Sequence, residues 1–386
     1  MNNSIDILVD NISDMLKPFG KIHHVHEPTF LKSSIDDVSS CIKSTYVSGS
    51  GNYLNKFKKE LSKYTGSKYI TLTNSGTSAL HLALNMIDIK NKEVLLPSMT
   101  FVATSNAISY NLGIPHFLDV QKNCINIDPL MLDQYIKDIA VMKRGKCFNK
   151  KTKNEIKCLV VLHAFGFSSD ITKIKKVCSK YNIEVIEDAA GALGTKHKNK
   201  HVGTFGRFGI LSFNGNKIVT TGMGGAILSK NQKDHKRVEH LTSTARIQHL
   251  WKIAHTDIGY NYRMANINAA LGLSQLKHLN TFLKNKRKLH LMYLKILTND
   301  ETSELITNAN HQSNYWLNNL ILKPKYKKYK NYLLKKLHEK NILARELWTP
   351  QHLLPMYRKN PKSEMKNTID LWKRTISLPS SNYHGI

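Results

Sequence analysis

The chain has no run approaching the roughly 18 uninterrupted apolar residues that a membrane-spanning helix needs. Its opening stretch, MNNSIDILVDNISDMLKPFG, has no basic segment followed by an apolar one. No membrane insertion and no secretory leader are therefore expected, which makes the cytoplasm the expected location. Cysteine is scarce. The five, Cys41, Cys124, Cys147, Cys158 and Cys178, are odd in number, widely spaced and without a C-x-x-C pair, which argues against a disulfide scaffold and against a zinc site. Acidic residues are also few, 28 against 57 Lys and Arg, for a formal charge of +29. Such an excess suits a nucleic-acid binder, a membrane-surface protein or an enzyme for anionic substrates. No RNP, C2H2 or helix-turn-helix signature accompanies it, so no nucleic acid is expected as partner. Internal repeats and low-complexity tracts are absent too.

What is present is ordinary globular material: 41% apolar and 22% charged residues over 386 positions, enough for a large core and two domains. From about Asn55 to Lys217 strand and helix patterns alternate. LNKFKKELSKYTG places Leu54, Phe57, Leu61 and Tyr64 at helical spacing and should stop at Gly66. YITLT, EVLLP, IPHFLDV, CLVVLHAFG, IEVIEDAA and FGILSFNGNK read as strands between helices. Continuous apolar strands of this kind predict a mainly parallel sheet covered on both faces. Longer helical stretches follow Gly225, and a second strand-helix set begins at NYWLNNLILKP. The expected division is a large domain over 1–265 and a small C-terminal α/β domain over 266–386. The lysine-rich KPKYKKYKNYLLKKLHEK carries Tyr329, Leu333 and Leu337 as one apolar stripe. It is either a solvated helix face or a partner surface.

Three features can carry chemistry. Asp188 ends an apolar strand, the edge where open α/β sheets bind ligands, although an aspartate there can also be a turn or helix cap. Lys217 follows another apolar strand and precedes a Gly-rich turn. A lysine at a strand end can be desolvated enough to become a Schiff-base amine, yet a lone lysine in so basic a chain is more often only a solvated charge. NSGTSAL leads from a strand into a helix, so the backbone N–H groups and hydroxyls of Gly76, Thr77 and Ser78 suit a phosphate; as a motif it is weak, because Ser and Thr are common caps. Together, an anion cradle, a strand-end acid and a strand-end lysine are what pyridoxal 5′-phosphate needs: an anchor, a partner for the pyridine nitrogen and an amine.

With these residues in view the sequence resembles the DegT/DnrJ/EryC1/StrS nucleotide-sugar aminotransferases, fold type I enzymes dependent on pyridoxal 5′-phosphate. The resemblance spans VSGSGNYLNKFKKEL, NSGTSALHLAL, EVLLPSMTFVATSNAI, VIEDAAGALG, SFNGNKIVTTGMGG, IGYNYRMANINAALG and ISLPSS. It implies a large domain built on a mainly parallel seven-stranded sheet. It also implies Lys217 as the lysine that carries the cofactor and Asp188 as partner of the pyridine nitrogen. Gly76, Thr77, Ser78 and Ser212 would hold the phosphate, and Phe101 would stack on the ring. Asn261 would reach the phosphate from a neighbouring subunit, hence a homodimer with shared active sites. Asn216, Arg345 and His352 would face the substrate. The chain departs from the family in three places. Gly191 stands where relatives carry Gln, His or Glu, Met223 interrupts a common GEGG, and Arg207 replaces an acid in a turn read as structural.

The NGN before Lys217, HEPTF near the start and the insert GKCFNKKTKNEIK further resemble the branch acting on UDP-4-keto-2-acetamido-6-deoxyhexoses, which makes bacillosamine and legionaminic acid for surface glycans. The implied reaction is ping-pong transamination from L-glutamate to the C4 ketone of a nucleotide sugar. The alternatives are a GDP-perosamine-type enzyme and, in a different class, a basic binding protein without catalysis. The sugar 3-dehydratases of the family replace the lysine by His, which Lys217 argues against. A cysteine desulfurase would need a late reactive cysteine, and none follows Cys178.

Overall fold

The computed structural model describes residues 2–307 and 312–383. Seven short segments form the central sheet: β1 (Tyr69–Thr73), β2 (Glu93–Pro97), β3 (Ile114–Leu118), β4 (Ile156–Leu162), β5 (Glu184–Asp188), β6 (Phe208–Ser212) and β7 (Gly225–Ser229). Their order is β1-β7-β6-β5-β4-β2-β3. All neighbours run parallel except β7, which is antiparallel to both β6 and β1. The alternation of side chains along a strand explains why these segments read as continuous apolar runs. Leu95, Leu159, Val161 and Val185 enter a core on one face, while Leu96, Val160, Ile186 and Ile210 enter a core on the other. The strand absent from the segments singled out in the sequence is β7, whose GAIL follows a glycine-rich turn.

Twelve α-helices surround the strands among the described residues: α1 (Asn2–Leu16), α2 (Lys32–Lys43), α3 (Asn52–Thr65), α4 (Gly76–Asn85), α5 (Val102–Tyr110), α6 (Pro129–Ile139), α7 (Ile171–Lys180), α8 (Gln232–Thr242), α9 (Asn266–Lys277), α10 (Leu279–Leu297), α11 (Lys330–Glu339) and α12 (Lys366–Arg374). As expected, α3 stops at Gly66, whose φ of +72° lets its N–H close on the Ser62 carbonyl. A second sheet, antiparallel and ordered β8-β9-β11-β10, comprises β8 (Ser303–Leu305), β9 (Asn318–Leu322), β10 (Arg345–Glu346) and β11 (Thr375–Leu378). On α11 Leu333 and Leu337 are buried, and Tyr329 just before it is half-buried, so the lysine-rich segment does present one apolar stripe to this core.

The packing departs from the expected division at 265/266 at both ends. The stripe Ile5, Leu8, Val9, Ile12 and Leu16 of α1 finds few apolar partners near it in sequence, chiefly Met15 and Phe19. It is buried instead against Leu289, Tyr293, Leu333, Leu337 and Ile376, and His23–His24 pairs in parallel with Ile342–Leu343. The first two dozen residues therefore belong with the C-terminal sheet. Helix α9, by contrast, packs on α2 and α3. The insert read as GKCFNKKTKNEIK forms part of a hairpin, Ala140–Lys143 against Lys146–Asn149. It is fastened through Asn149 and Thr152 to the buried carboxylate of Glu93 on β2, which His116 on β3 also meets.

Candidate active site

The C-terminal ends of β1, β2, β4, β5 and β6 lie along one edge of the sheet, where an open α/β sheet leaves room for a ligand. A cavity of about 290 Å³ opens there. Gly76 and Thr77 lie on its wall, with Asp188, Ser212 and Lys217, and Phe101, Trp316, Trp348 and Arg345 complete it.

At one end stands the first turn of α4. Ser75 caps this helix, its Oγ accepting the N–H of Ser78 at 3.0 Å. The amides of Gly76 and Thr77 belong to a first turn, which has no intrahelical acceptor for them. A Cβ on Gly76 would come 2.9 Å from Cβ of Ser212, and one on Gly225 would come 2.6 Å from the Ser75 carbonyl. Glycine at these two positions is what lets the helix start and Ser212 close around a shared space. The hydroxyl of Ser78, expected on the phosphate, instead lies 2.9 Å from Ser75 Oγ, and Ser78 is not on the cavity wall.

At the other end Asp188 closes β5. Its Oδ2 accepts from Thr104 Oγ1 at 2.8 Å and its Oδ1 from the Ala190 N–H at 3.1 Å. Both are neutral donors, so the carboxylate is held in place without an ion pair among the described residues, with the Lys217 amine as the cation that feels its charge. Its neighbour Glu187 faces the opposite way and is fully buried. There it accepts the N–H groups of Gly203, Phe205 and Gly206 at 2.7, 2.6 and 2.7 Å and lies 3.0 Å from His163 Nε2. Burial pushes the Glu187 carboxyl up, but the His163 contact and these amides outweigh it and hold the group below its ordinary value. The Ser169 N–H donates to His163 Nδ1, which leaves Nε2–H for Glu187 and fixes the ring at the cavity wall. His163 follows β4 directly in LHAFG, a strand-end position that could have pointed to it.

Lys217 lies in the turn between β6 and β7. Burial lowers its amine to about 7, Asp188 opposing and Arg345 adding to the effect. The Nζ sits 3.6 Å from the ring centroid of Trp316. Phe165 stacks on Trp348 at 4.6 Å between centroids, and Phe101, 55% exposed, leans on Trp348 at 6.2 Å. These rings give the cavity an aromatic side. Arg345, on β10, makes no side-chain ion pair among the described residues and stands at the mouth as a free cation.

The structure places the remaining expected residues variously. Asn216 lines the cavity beside Lys217. His352 does not: it is buried, with Nδ1 2.6 Å from Ser98 Oγ. Asn261 is exposed, bridges Ser243 and accepts Asn74 Nδ2 on its backbone carbonyl at 3.3 Å, close to the Ser75 cap, but is not on the cavity wall. Arg207 is structural as read, forking onto Asp234 at 2.9 and 3.0 Å. Met223 is 63% exposed at the cavity mouth. At Gly191 a Cβ would lie 2.3 Å from Cε3 of Trp316, so the indole fills the space of the side chain that the resemblance led one to expect. Trp316, Trp348, Phe165 and His163 were not singled out in the sequence.

Pyridoxal 5′-phosphate fits what is present. The glycine-dependent cradle of Gly76, Thr77 and Ser212 suits its phosphate, the Asp188 carboxylate suits a protonated ring nitrogen, and a lysine with a lowered amine lines the same cavity.

Comparison with known proteins agrees. Residues 29–383 match the DegT/DnrJ/EryC1/StrS aminotransferase family. The chain is 32% identical to the GDP-perosamine synthase of Escherichia coli O157:H7, covering 92% of each chain. It is 30% identical to the UDP-4-amino-4,6-dideoxy-N-acetyl-beta-L-altrosamine transaminase of Campylobacter jejuni, covering 90% of this chain and 89% of that one. The structure of Helicobacter pylori PseC, an aminotransferase involved in the biosynthesis of pseudoaminic acid, superposes with a TM-score of 0.84 at 25% identity, over 93% of this chain and 94% of that one. The chain therefore belongs to the DegT/DnrJ/EryC1/StrS aminotransferase family and is a nucleotide-sugar aminotransferase whose cofactor is pyridoxal 5′-phosphate.

Proposed function

We propose that this enzyme moves the amino group of L-glutamate to the C4 ketone of a UDP-4-keto-2-acetamido-6-deoxyhexose, in the cytoplasm, for the bacillosamine or legionaminic acid type of surface glycan. The observation that carries the transamination reading is the meeting of three groups in one cavity: the anion cradle at α4, the carboxylate of Asp188 and the lowered amine of Lys217. The cofactor supplies an electron sink for the carbanion formed at the amino-bearing carbon. Asp188 keeps that sink effective by holding a proton on the ring nitrogen through a charge-assisted hydrogen bond. Gly76, Thr77 and Ser212 would hold the phosphate, and Phe101, on the same wall, would offer its ring to the cofactor's. Lys217, once its amine is free, takes the Cα proton of glutamate and later returns a proton to C4 of the sugar. Being lowered to about 7, that amine is largely neutral above neutral pH and can act as a base.

Arg345, without an ion pair among the described residues, suits the carboxylate of glutamate or the diphosphate of the nucleotide, and Asn216, lining the same cavity, suits the sugar. The homodimer with shared sites is supported by the segment that precedes Asn261: Leu250, Trp251, Ile253 and Ile258 are 93%, 81%, 72% and 90% exposed, more apolar surface than a monomer commonly leaves bare. Asn261 would then complete the partner's cavity.

The NGN turn, HEPTF and the hairpin insert favour the acetamido sugar. The likeness to a GDP-perosamine synthase favours the GDP alternative. The test is incubation with L-glutamate and a panel of UDP-, GDP- and dTDP-4-keto-6-deoxy sugars, with mass spectrometry of the products. A site that pairs an acetamido group rejects a plain hydroxyl by roughly tenfold or more in kcat/KM. A clear preference for the GDP sugar would move the enzyme to the perosamine type.

A further inference from the structure

Trp316 is 3% exposed and enters the cavity from the segment just before β9, far in sequence from the lysine turn. Contacts of both its backbone and its indole fix this residue. The Nε1–H donates to the carbonyl of Asn216 at 2.8 Å, on the residue preceding Lys217. Its backbone N–H donates to Asn314 Oδ1 at 2.9 Å, and the same Asn314 donates through Nδ2 to the carbonyls of Gly191 and Leu193 at 2.9 and 2.8 Å. The ring edge lies over Gly191, where even a methyl group would come within 2.3 Å of it. The face so presented meets the Lys217 Nζ at 3.6 Å from its centroid. An ammonium over an indole face is attracted by the ring quadrupole, most strongly where water is scarce.

We infer that Trp316 is a positioning residue for Lys217: its indole face holds and stabilises the free amine within the cavity, and Gly191 is the vacancy that lets it do so. This rests on the reading of Lys217 as the cofactor-bearing amine. It adds that the amine's position and basicity are set from the C-terminal sheet through one aromatic ring. The charged and titratable groups around the amine are Asp188 at the end of β5, His163 after β4, Arg345 on β10 and His26 in the segment after α1. None of them is altered in the variants below, so their effects cancel between wild type and variant.

The experiment uses the full-length chain freed of cofactor. Reductive methylation with formaldehyde and a borane is followed at Lys217 by peptide mass spectrometry between pH 5.5 and 9.5, a measure of neutral amine that needs no turnover. Trp316→Met keeps apolar bulk but removes the π face, so the midpoint at Lys217 should fall by about one pH unit, a roughly tenfold larger neutral fraction at acidic pH. Trp316→Phe keeps a face and should restore most of the difference. Gly191→Ala keeps the tryptophan but pushes its ring off Gly191, and should shift the midpoint the same way as Trp316→Met; it decides the matter if Trp316→Met does not fold. A wild-type midpoint with either folded Trp316→Met or Gly191→Ala would overturn the inference, as would a Phe variant no different from Met. If Lys217 of the wild type titrates as an ordinary lysine near 10, the reading of the cavity itself fails, an outcome distinct from failure of the tryptophan's role.

Discussion

Lys217 and Lys286 are two lysines that burial lowers to about 7, yet they sit in different surroundings. Lys286, on α10, is 1% exposed and gives its Nζ to the carbonyl of Ser380. Ser380 in turn accepts the Asn318 N–H at 2.8 Å. The amine is thus a stitch between a helix, a strand and the segment after β11, with no room for a second reactant. Lys217 borders open space, has a carboxylate and an aromatic face nearby, and among the described residues makes no hydrogen bond through its amine. A lowered amine alone is therefore a statement about burial. It becomes chemistry only where a cavity, an anion cradle and a fixed acid surround it.

The comparison breaks most visibly at the lysines themselves. Lys217→Ala should fold, lose the cofactor-linked absorbance and lose transamination by about 10³-fold or more. Borohydride should fix the cofactor on Lys217 and leave Lys286 unlabelled; peptide mapping that found the label on Lys286 would reverse the two roles. Next in size is Asp188→Asn, which keeps the bonds to Thr104 and Ala190 possible but removes the charge. Cofactor should still bind, while kcat falls by about 10²-fold. Near wild-type turnover would reduce Asp188 to a turn residue.

Why one lysine stood out in the sequence and the other did not is itself physical. Lys217 and Asp188 each follow a run of apolar strand residues, and strand ends of a parallel sheet converge whatever the rest of the chain does. Lys286 lies in a helix among many exposed lysines, and only the packing of α10 against the chain's last segment buries it. The same limit hid Trp316 and Trp348, which reach the cavity through tertiary packing of the C-terminal sheet. It also misplaced α1, whose stripe was visible but whose partner, hundreds of residues away, was not. His352, expected at the substrate through resemblance, is committed to Ser98, a contact across 254 positions that no local pattern announces.

A pH series sharpens the comparison further. Between about pH 7 and 9 the unfolded lysines, with ordinary values near 10.5, hold a proton that the folded ones have largely lost. The unfolded state then binds more protons, so stability of the cofactor-free protein rises with pH, by about 1.4 kcal/mol per pH unit for each such lysine. Lys286→Met should remove its share of that slope and leave the share of Lys217. Denaturant unfolding at pH 7, 8 and 9 measures it, and an unchanged slope would show that the Lys286 amine keeps its proton in the folded state.

The smallest effects concern two residues expected to face the substrate, and they repeat the contrast between a bonded and an unbonded group. Arg345 has no ion-pair partner among the described residues and stands at the cavity mouth. Arg345→Lys keeps the charge but loses the planar fork, so KM for an anionic substrate should rise by about tenfold with kcat little changed. His352 is already satisfied by Ser98 behind the wall. His352→Asn should leave kcat/KM within about threefold of wild type and cost about 1 kcal/mol of stability, the usual size of one lost buried hydrogen bond. Steady-state kinetics and denaturation on the same two variants separate the outcomes. If His352→Asn instead raised KM with stability intact, the imidazole would have to leave Ser98 and turn to the substrate when the cavity fills, and the contact across the wall would be the resting partner of a binding residue.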